Sequence, residues 1–71
     1  MNRDIFKGHW DEIKGSLKQQ WGKLTDDDIT EMEGNYDKLR GKLEKAYGYQ
    51  KDEAEREIDS FMTSHRWTEK T

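Results

Sequence analysis

Hydrophobic residues recur every three or four positions along most of the chain. Such spacing places side chains on one face of an α-helix, so each run predicts an amphipathic helix. The first run is Phe6, Trp10, Ile13, Leu17, Trp21 and Leu24, the second is Met32, Tyr36, Leu39, Leu43 and Tyr47, and the last is Ala54, Ile58, Phe61, Met62 and His65. The pattern predicts an all-α fold with helices over residues 4–21, 26–33, 36–47 and 52–65.

The pattern leaves the boundary at Gly34 open. Ile29, Met32, Tyr36 and Leu39 keep helical spacing on both sides of this glycine. One long helix with an internal glycine therefore fits the sequence as well as two helices that meet at a turn.

Residues typical of helix ends flank the predicted helices. Gly22 and Gly48 each follow an aromatic residue, and glycine there can adopt the left-handed conformation that closes a helix. Thr25 offers an N-cap hydroxyl before the acidic residues 26–28, which the helix dipole favours in a first turn. Residues 51–53 repeat this arrangement in a weaker form.

The chain matches itself when it is shifted by 26 residues. Residues 8–17 then align with 34–43, and all six glycines fall into pairs. We interpret the chain as one domain over residues 1–71, with repeats at about 6–31 and 32–57 and a tail at 60–71. Two duplicated helix–turn–helix units with short connections are expected to pack across each other as a small four-helix domain.

Gly15 and Gly41 occupy equivalent mid-helix positions on the polar side of the predicted helices. An internal glycine costs about 1 kcal/mol relative to alanine. Three explanations stay open: the helices merely tolerate these glycines, the glycines seat a neighbouring backbone, or they keep the helices loose.

Composition and charge limit the functional classes. Hydrophobic residues make up 30% of the chain and charged residues 41%, with a net charge of −3. The charges are mixed along the whole length, so no basic patch predicts binding to nucleic acid or to a membrane surface. The chain contains no cysteine and shows no apolar leader, and we therefore expect a monomer in the cytoplasm.

No group of residues predicts catalysis. His9 and His65 are the only imidazoles, and both are expected to be solvated or to cap a helix. The acidic residues 26–28 lack the alternating spacing of a calcium loop, and the serines Ser16, Ser60 and Ser64 have no base at a recognisable offset. We therefore assign no catalytic, cofactor-binding or metal-binding residue, no cofactor and no enzymatic activity.

The sequence resembles the CsbD-like family of small bacterial general-stress proteins, and its enterobacterial members in particular. The matching segments lie between Phe6 and Asp59 and include Lys7-Gly8-His9-Trp10, Trp21-Gly22-Lys23-Leu24-Thr25-Asp26-Asp27-Asp28 and Leu39-Arg40-Gly41-Lys42. The resemblance implies a bacterial stress protein without defined site residues. The very low mean hydropathy of −1.41 is also similar to that of hydrophilins, which are linked to tolerance of water loss.

Two functions remain open at this point. The first is a non-enzymatic stress protein that protects macromolecules in the manner of a hydrophilin. The second is a helical adaptor that binds one specific protein partner through an exposed aromatic residue or the glycine line.

Overall fold

The computed structural model describes residues 3–67, which form five α-helices and no strand. The helices are α1 (Arg3–Gly8), α2 (Trp10–Gln20), α3 (Asp26–Met32), α4 (Tyr36–Tyr47) and α5 (Lys51–Ser64). Helix α4 lies at the centre, where it contacts α1, α3 and α5, while α2 packs against α1 and α3. The predicted all-α fold is confirmed, with five helices where four were predicted.

The core contains most of the residues that the periodic pattern selects, whereas Trp10 and Tyr47 are only partly buried and His65 is exposed. The buried set is Phe6, Ile13, Leu17, Trp21, Leu24, Ile29, Met32, Tyr36, Leu39, Leu43, Ala54, Ile58, Phe61 and Met62. Among residues 3–67, no charged or hydrophilic residue is buried. Full burial of one large apolar side chain contributes about 1.5–3 kcal/mol, so a chain with few such residues must bring nearly all of them inside.

The predicted helix over residues 4–21 is interrupted at His9. There the carbonyl oxygen of His9 accepts hydrogen bonds from the N–H groups of both Glu12, at 3.0 Å, and Ile13, at 2.8 Å. The change in direction lets Phe6 on α1 reach the ring of Tyr36 on α4, with 5.9 Å between centroids in an edge-on arrangement. Spacing alone did not reveal the break because apolar residues keep the same period on both sides.

The chain also turns between α3 and α4, so the two-helix alternative at Gly34 is correct. Glu33 and Gly34 both have positive φ angles, of 50° and 78°. Asn35 then caps α4, because its side-chain oxygen accepts the N–H of Lys38 at 3.2 Å. A Cβ at Gly34 would lie 3.4 Å from the Cβ of Trp10, an ordinary contact distance, so it is the positive φ rather than lack of space that favours glycine here.

The predicted helix ends are confirmed at Thr25 and Gly48. The Thr25 hydroxyl accepts the Asp28 N–H, and the Thr25 N–H donates to the Asp28 carboxylate, each at 3.1 Å. Gly48 has a φ of 72° and its N–H donates to the Glu44 carbonyl at 2.9 Å. At the start of α5 the cap is Gln50, whose N–H donates to the Glu53 carboxylate at 3.3 Å.

The prediction that Gly22 closes the first unit in a left-handed conformation is wrong. Helix α2 ends at Gln20, and Trp21 is extended with a φ of −131°. The positive-φ glycines are Gly34 and Gly48 instead. The Trp21 ring packs against Phe61 with 5.0 Å between centroids, and the backbone leaves the helix where this indole enters the core.

Alanine substitutions at the glycines are expected to change stability in opposite directions. At Gly15 and Gly41 no neighbouring atom lies within 4 Å of an added Cβ, so each Gly→Ala change should stabilise the fold by about 0.5–1 kcal/mol. Gly48→Ala, at the end of the same helix as Gly41, should destabilise it by about 1 kcal/mol because φ is positive. Urea titrations measure all three, and destabilisation by Gly41→Ala would reveal a contact with another molecule.

Acid is expected to weaken the fold through two carboxylates. The Thr25 backbone N–H, and then Lys42, lower the pKa of Asp28, and Arg3 lowers the pKa of Asp37. Each group therefore contributes stability above its unfolded pKa of about 3.9 and loses it as the pH falls through the lower folded value. Melting curves between pH 6 and 2 should show a smaller acid loss in Asp28→Asn than in Asp27→Asn, since the Asp27 carboxylate forms no hydrogen bond or ion pair with residues 3–67.

Candidate functional site

A polar cleft of about 410 Å³ opens between α1, α4 and α5. It is lined by Arg3, Tyr36, Asp52, Glu55, Arg56 and Asp59. On α5 the carboxylates of Asp52, Glu55 and Asp59 are three and four residues apart, which places them along one face of the helix. We call this feature the Tyr36 cleft, because Tyr36 forms its inner wall.

Tyr36 has a buried hydroxyl group without a hydrogen-bond partner. The residue is only 3% exposed, and its ring lies between the edge contact with Phe6 and the guanidinium of Arg3, which is 4.9 Å from the ring centroid. Burial, and next the charge of Glu55, raise the pKa of Tyr36. The hydroxyl therefore keeps its proton at neutral pH and can both donate and accept a hydrogen bond.

The charges around the cleft are only partly neutralised. Arg3 pairs with Asp37 at 2.8 Å, and Glu55 pairs with Arg40 at 3.5 Å. The other ionic groups of the cleft, those of Asp52, Arg56 and Asp59, take part in no ion pair within residues 3–67. The cleft thus presents two free carboxylates, one free guanidinium and one unpartnered hydroxyl.

A second cluster brings both histidines together at the end of α5. The Trp67 ring stacks on His65, with 4.5 Å between centroids, and lies 6.5 Å from His9. Glu12 joins them, because its Oε2 atom accepts from Trp67 Nε1 at 3.0 Å and lies 3.1 Å from His9 Nδ1. We call these four residues the Trp67 clasp, since they tie the C-terminal end of α5 to α2.

The clasp depends on how α5 terminates. Arg66 has a φ of 63°, and the N–H groups of Arg66 and Trp67 donate to the carbonyls of Thr63 and Met62, each at 3.0 Å. These two bonds and the left-handed residue define a Schellman ending. The accompanying apolar contact is between Trp67 and Phe61, whose rings are 5.4 Å apart.

The other residues that the sequence analysis considered do not converge on a site. Within residues 3–67, no three potential metal ligands lie close enough together to hold an ion. The acidic residues 26–28 begin α3, and the Ser64 hydroxyl donates to the Phe61 carbonyl at 3.0 Å. The described helices also include none that is long and apolar enough to cross a membrane.

Comparison with known proteins identifies the family. A sequence model described as CsbD-like matches residues 4–56. The chain belongs to the CsbD-like family. This is a family of general stress-response proteins, so the resemblance seen in the sequence is confirmed.

Several relatives extend over nearly the whole chain. The UPF0337 protein YjbJ of Escherichia coli O6:H1 is 55% identical over 69 residues, which cover 94% of this chain and 100% of that protein. YjbJ of Salmonella typhimurium is 52% identical, with 94% and 99% covered. The UPF0337 protein pc0632 of Protochlamydia amoebophila is 48% identical over 66 residues, with 93% and 100% covered.

Sequence reasoning did not find the Tyr36 cleft. The apolar spacing places Tyr36 in the second hydrophobic run and predicts no polar role for it. The available signal was the spacing of Asp52, Glu55 and Asp59, but this spacing is equally typical of a solvated surface. The CsbD-like match reaches Arg56, whereas Asp59 and the Trp67 end of the clasp lie beyond it.

Substitution of Trp67 is expected to reveal its bond to Glu12. Trp67→Phe retains an aromatic ring but removes the indole N–H, so it should destabilise the protein by about 0.5–1.5 kcal/mol. Glu12→Ala should cost less in the Trp67→Phe background than in the original chain, as denaturant titrations can measure. Asp11→Ala, the neighbouring acid in the first turn of α2, is the control, and its effect should be additive with Trp67→Phe.

Proposed function

We propose that this CsbD-like protein is a non-enzymatic stress protein that protects other macromolecules through a hydrated, mixed-charge surface. One observation supports the proposal. Most residues of the apolar helix faces are buried in the core, while the charged residues among 3–67 all remain at least partly exposed. A surface of this kind stays soluble and interacts weakly with many partners rather than strongly with one. The family's role in stress responses agrees with such an activity.

The ion pairs support a surface that can rearrange. Lys18 and Asp26 pair at 3.0 Å with exposed fractions of 55% and 81%, and Lys14 and Asp11 pair at 3.5 Å. Exposed pairs of this kind contribute at most about 1 kcal/mol, so their side chains can exchange partners at little cost.

We infer that the protein acts in the cytoplasm as a monomer that does not bind nucleic acid or membranes.

We further propose that the fold arose by duplication of a helix–turn–helix unit. Helix α2 begins at Trp10 and α4 at Tyr36, and the shift of 26 residues found in the sequence superposes these starts. The starts of α3 and α5, at Asp26 and Lys51, agree to within one residue under the same shift. The break at His9 divides the first predicted helix into α1 and α2, which accounts for five helices in place of four.

The alternative function is a helical adaptor, and one surface favours it. The rings of Tyr47 and Tyr49 stack with 5.4 Å between centroids and an angle of 12°, next to the core but only partly buried. Lys23 lies 5.0 Å from the Tyr47 ring centroid. Aromatic side chains that are partly exposed are common anchors of protein interfaces.

Protection of a labile enzyme through drying or freezing tests the leading proposal. The protein should preserve more activity than an equal mass of an unrelated small protein. A variant with lysines and glutamates exchanged among exposed positions, and with the core unchanged, should protect equally because its composition and fold are kept. Equal protection by the unrelated protein would contradict the proposal.

Tyr49→Ala separates the two functions. Among residues 3–67 the Tyr49 side chain forms no hydrogen bond, and it is only partly buried beside Tyr47, so the change should leave the fold intact. A protectant should keep its full effect in the drying assay. Loss of protection by folded Tyr49→Ala, with retention by the charge-exchanged variant, would instead favour the adaptor.

A further inference from the structure

The Tyr36 hydroxyl is a buried polar group that the fold leaves unsatisfied. Within the described residues it has no hydrogen-bond partner, although the rest of Tyr36 is well packed. Native proteins satisfy most buried polar groups, so an exception requires an explanation. Phenylalanine would fill the same space without this cost, so the hydroxyl is left for a partner outside the chain, either an ordered water or a ligand.

The electrostatics of the Tyr36 cleft favour a positively charged partner. Its lining residues comprise three carboxylates and two guanidinium groups. Arg3 pairs with Asp37, and Glu55 shares Arg40 with Asp37 and Glu44, so Arg56 is the one unpaired cation among the lining residues, against the unpaired carboxylates of Asp52 and Asp59. The charge of Glu55 also acts directly on the Tyr36 hydroxyl.

The spacing of the free carboxylates excludes a compact cation as the matching ligand. Seven residues separate Asp52 from Asp59, which is about 10 Å along a helix. Within residues 3–67 no group of three acidic or imidazole side chains is close enough to chelate a metal ion. A ligand that meets both carboxylates must therefore be extended and must carry separated positive charges.

We propose that the Tyr36 cleft binds a linear organic diamine or polyamine. Its ammonium groups pair with Asp52 and Asp59. Binding moves aside the cleft side chains that cover the Tyr36 hydroxyl, whose oxygen then accepts a hydrogen bond from one ammonium group. The cleft volume of about 410 Å³ accommodates a short alkyl chain between these charges. The proposal is independent of protection during drying, because binding at this cleft and protection by the whole surface are measured separately.

Titration with 1,4-diaminobutane and with spermidine at low salt tests the proposal. Low salt is needed because exposed charges are screened within about 10 Å at 0.1 M. NMR amide shifts should saturate at one ligand per chain and should be confined to residues at the cleft. The melting temperature should rise with ligand concentration, since the ligand binds the native state. Non-saturating shifts, or the same shifts with Mg²⁺ at equal ionic strength, would overturn the proposal.

Charge variants separate the cleft from general attraction to an acidic protein. Asp52→Asn and Asp59→Asn should each weaken spermidine binding several-fold. Asp27→Asn changes the net charge equally but lies in α3, away from the cleft, and should bind as the original chain does. Arg56→Gln removes the one free cation and should tighten binding. Equal effects of Asp27→Asn and Asp59→Asn would contradict a defined site.

Tyr36→Phe tests the hydroxyl by two measurements, the melting temperature, which should rise, and the affinity for spermidine, which should fall. The free variant should melt at a higher temperature than the original chain, because an unsatisfied buried group is removed. Its affinity for spermidine should fall several-fold, because the acceptor is lost. A lower melting temperature would show that the hydroxyl already has a partner in the fold, and unchanged affinity would remove Tyr36 from the site.

Discussion

The turn at Gly34, which lies beside Trp10, joins the two halves of this fold. The chain turns there with a φ of 78°, a left-handed conformation that glycine adopts without the strain a side chain would cause. This turn sets Asn35 as the cap of α4 and Tyr36 as its first residue. Tyr36 then meets Phe6 of α1, so the central helix, the short first helix and the Tyr36 cleft all depend on this turn.

A scarcity of apolar residues is the second constraint on the molecule. Hydrophobic residues make up 30% of the chain, and most of them lie in the core. The remaining surface carries charges of both signs. Partly buried aromatic rings, among them Trp10, Tyr47, Tyr49 and Trp67, extend the core to its edge. Such a protein gains stability from packing rather than from ion pairs.

The Tyr36 cleft and the Trp67 clasp differ in what they contribute. In the clasp every polar contact stabilises the fold: Glu12 accepts the indole N–H, and the rings of His65 and Trp67 stack. In the cleft, the Tyr36 hydroxyl has no hydrogen-bond partner, and the carboxylates of Asp52 and Asp59 form no ion pair, among residues 3–67. Groups that cost stability without an internal partner are typical of binding sites, which is why the cleft rather than the clasp carries our ligand proposal.

The sequence alone determined the helices and the core residues, because both follow from the spacing of apolar side chains along a helix. It also determined the Thr25 cap, a local interaction between neighbouring residues. The break at His9, the extended Trp21 and the turn at Gly34 were decided by tertiary packing, since each serves a contact with a residue distant in sequence. The cleft is of the same kind: Arg3, Tyr36 and Asp59 come from three different helices. Periodicity reports which face of a helix is apolar, but only the packed structure determines which polar faces meet.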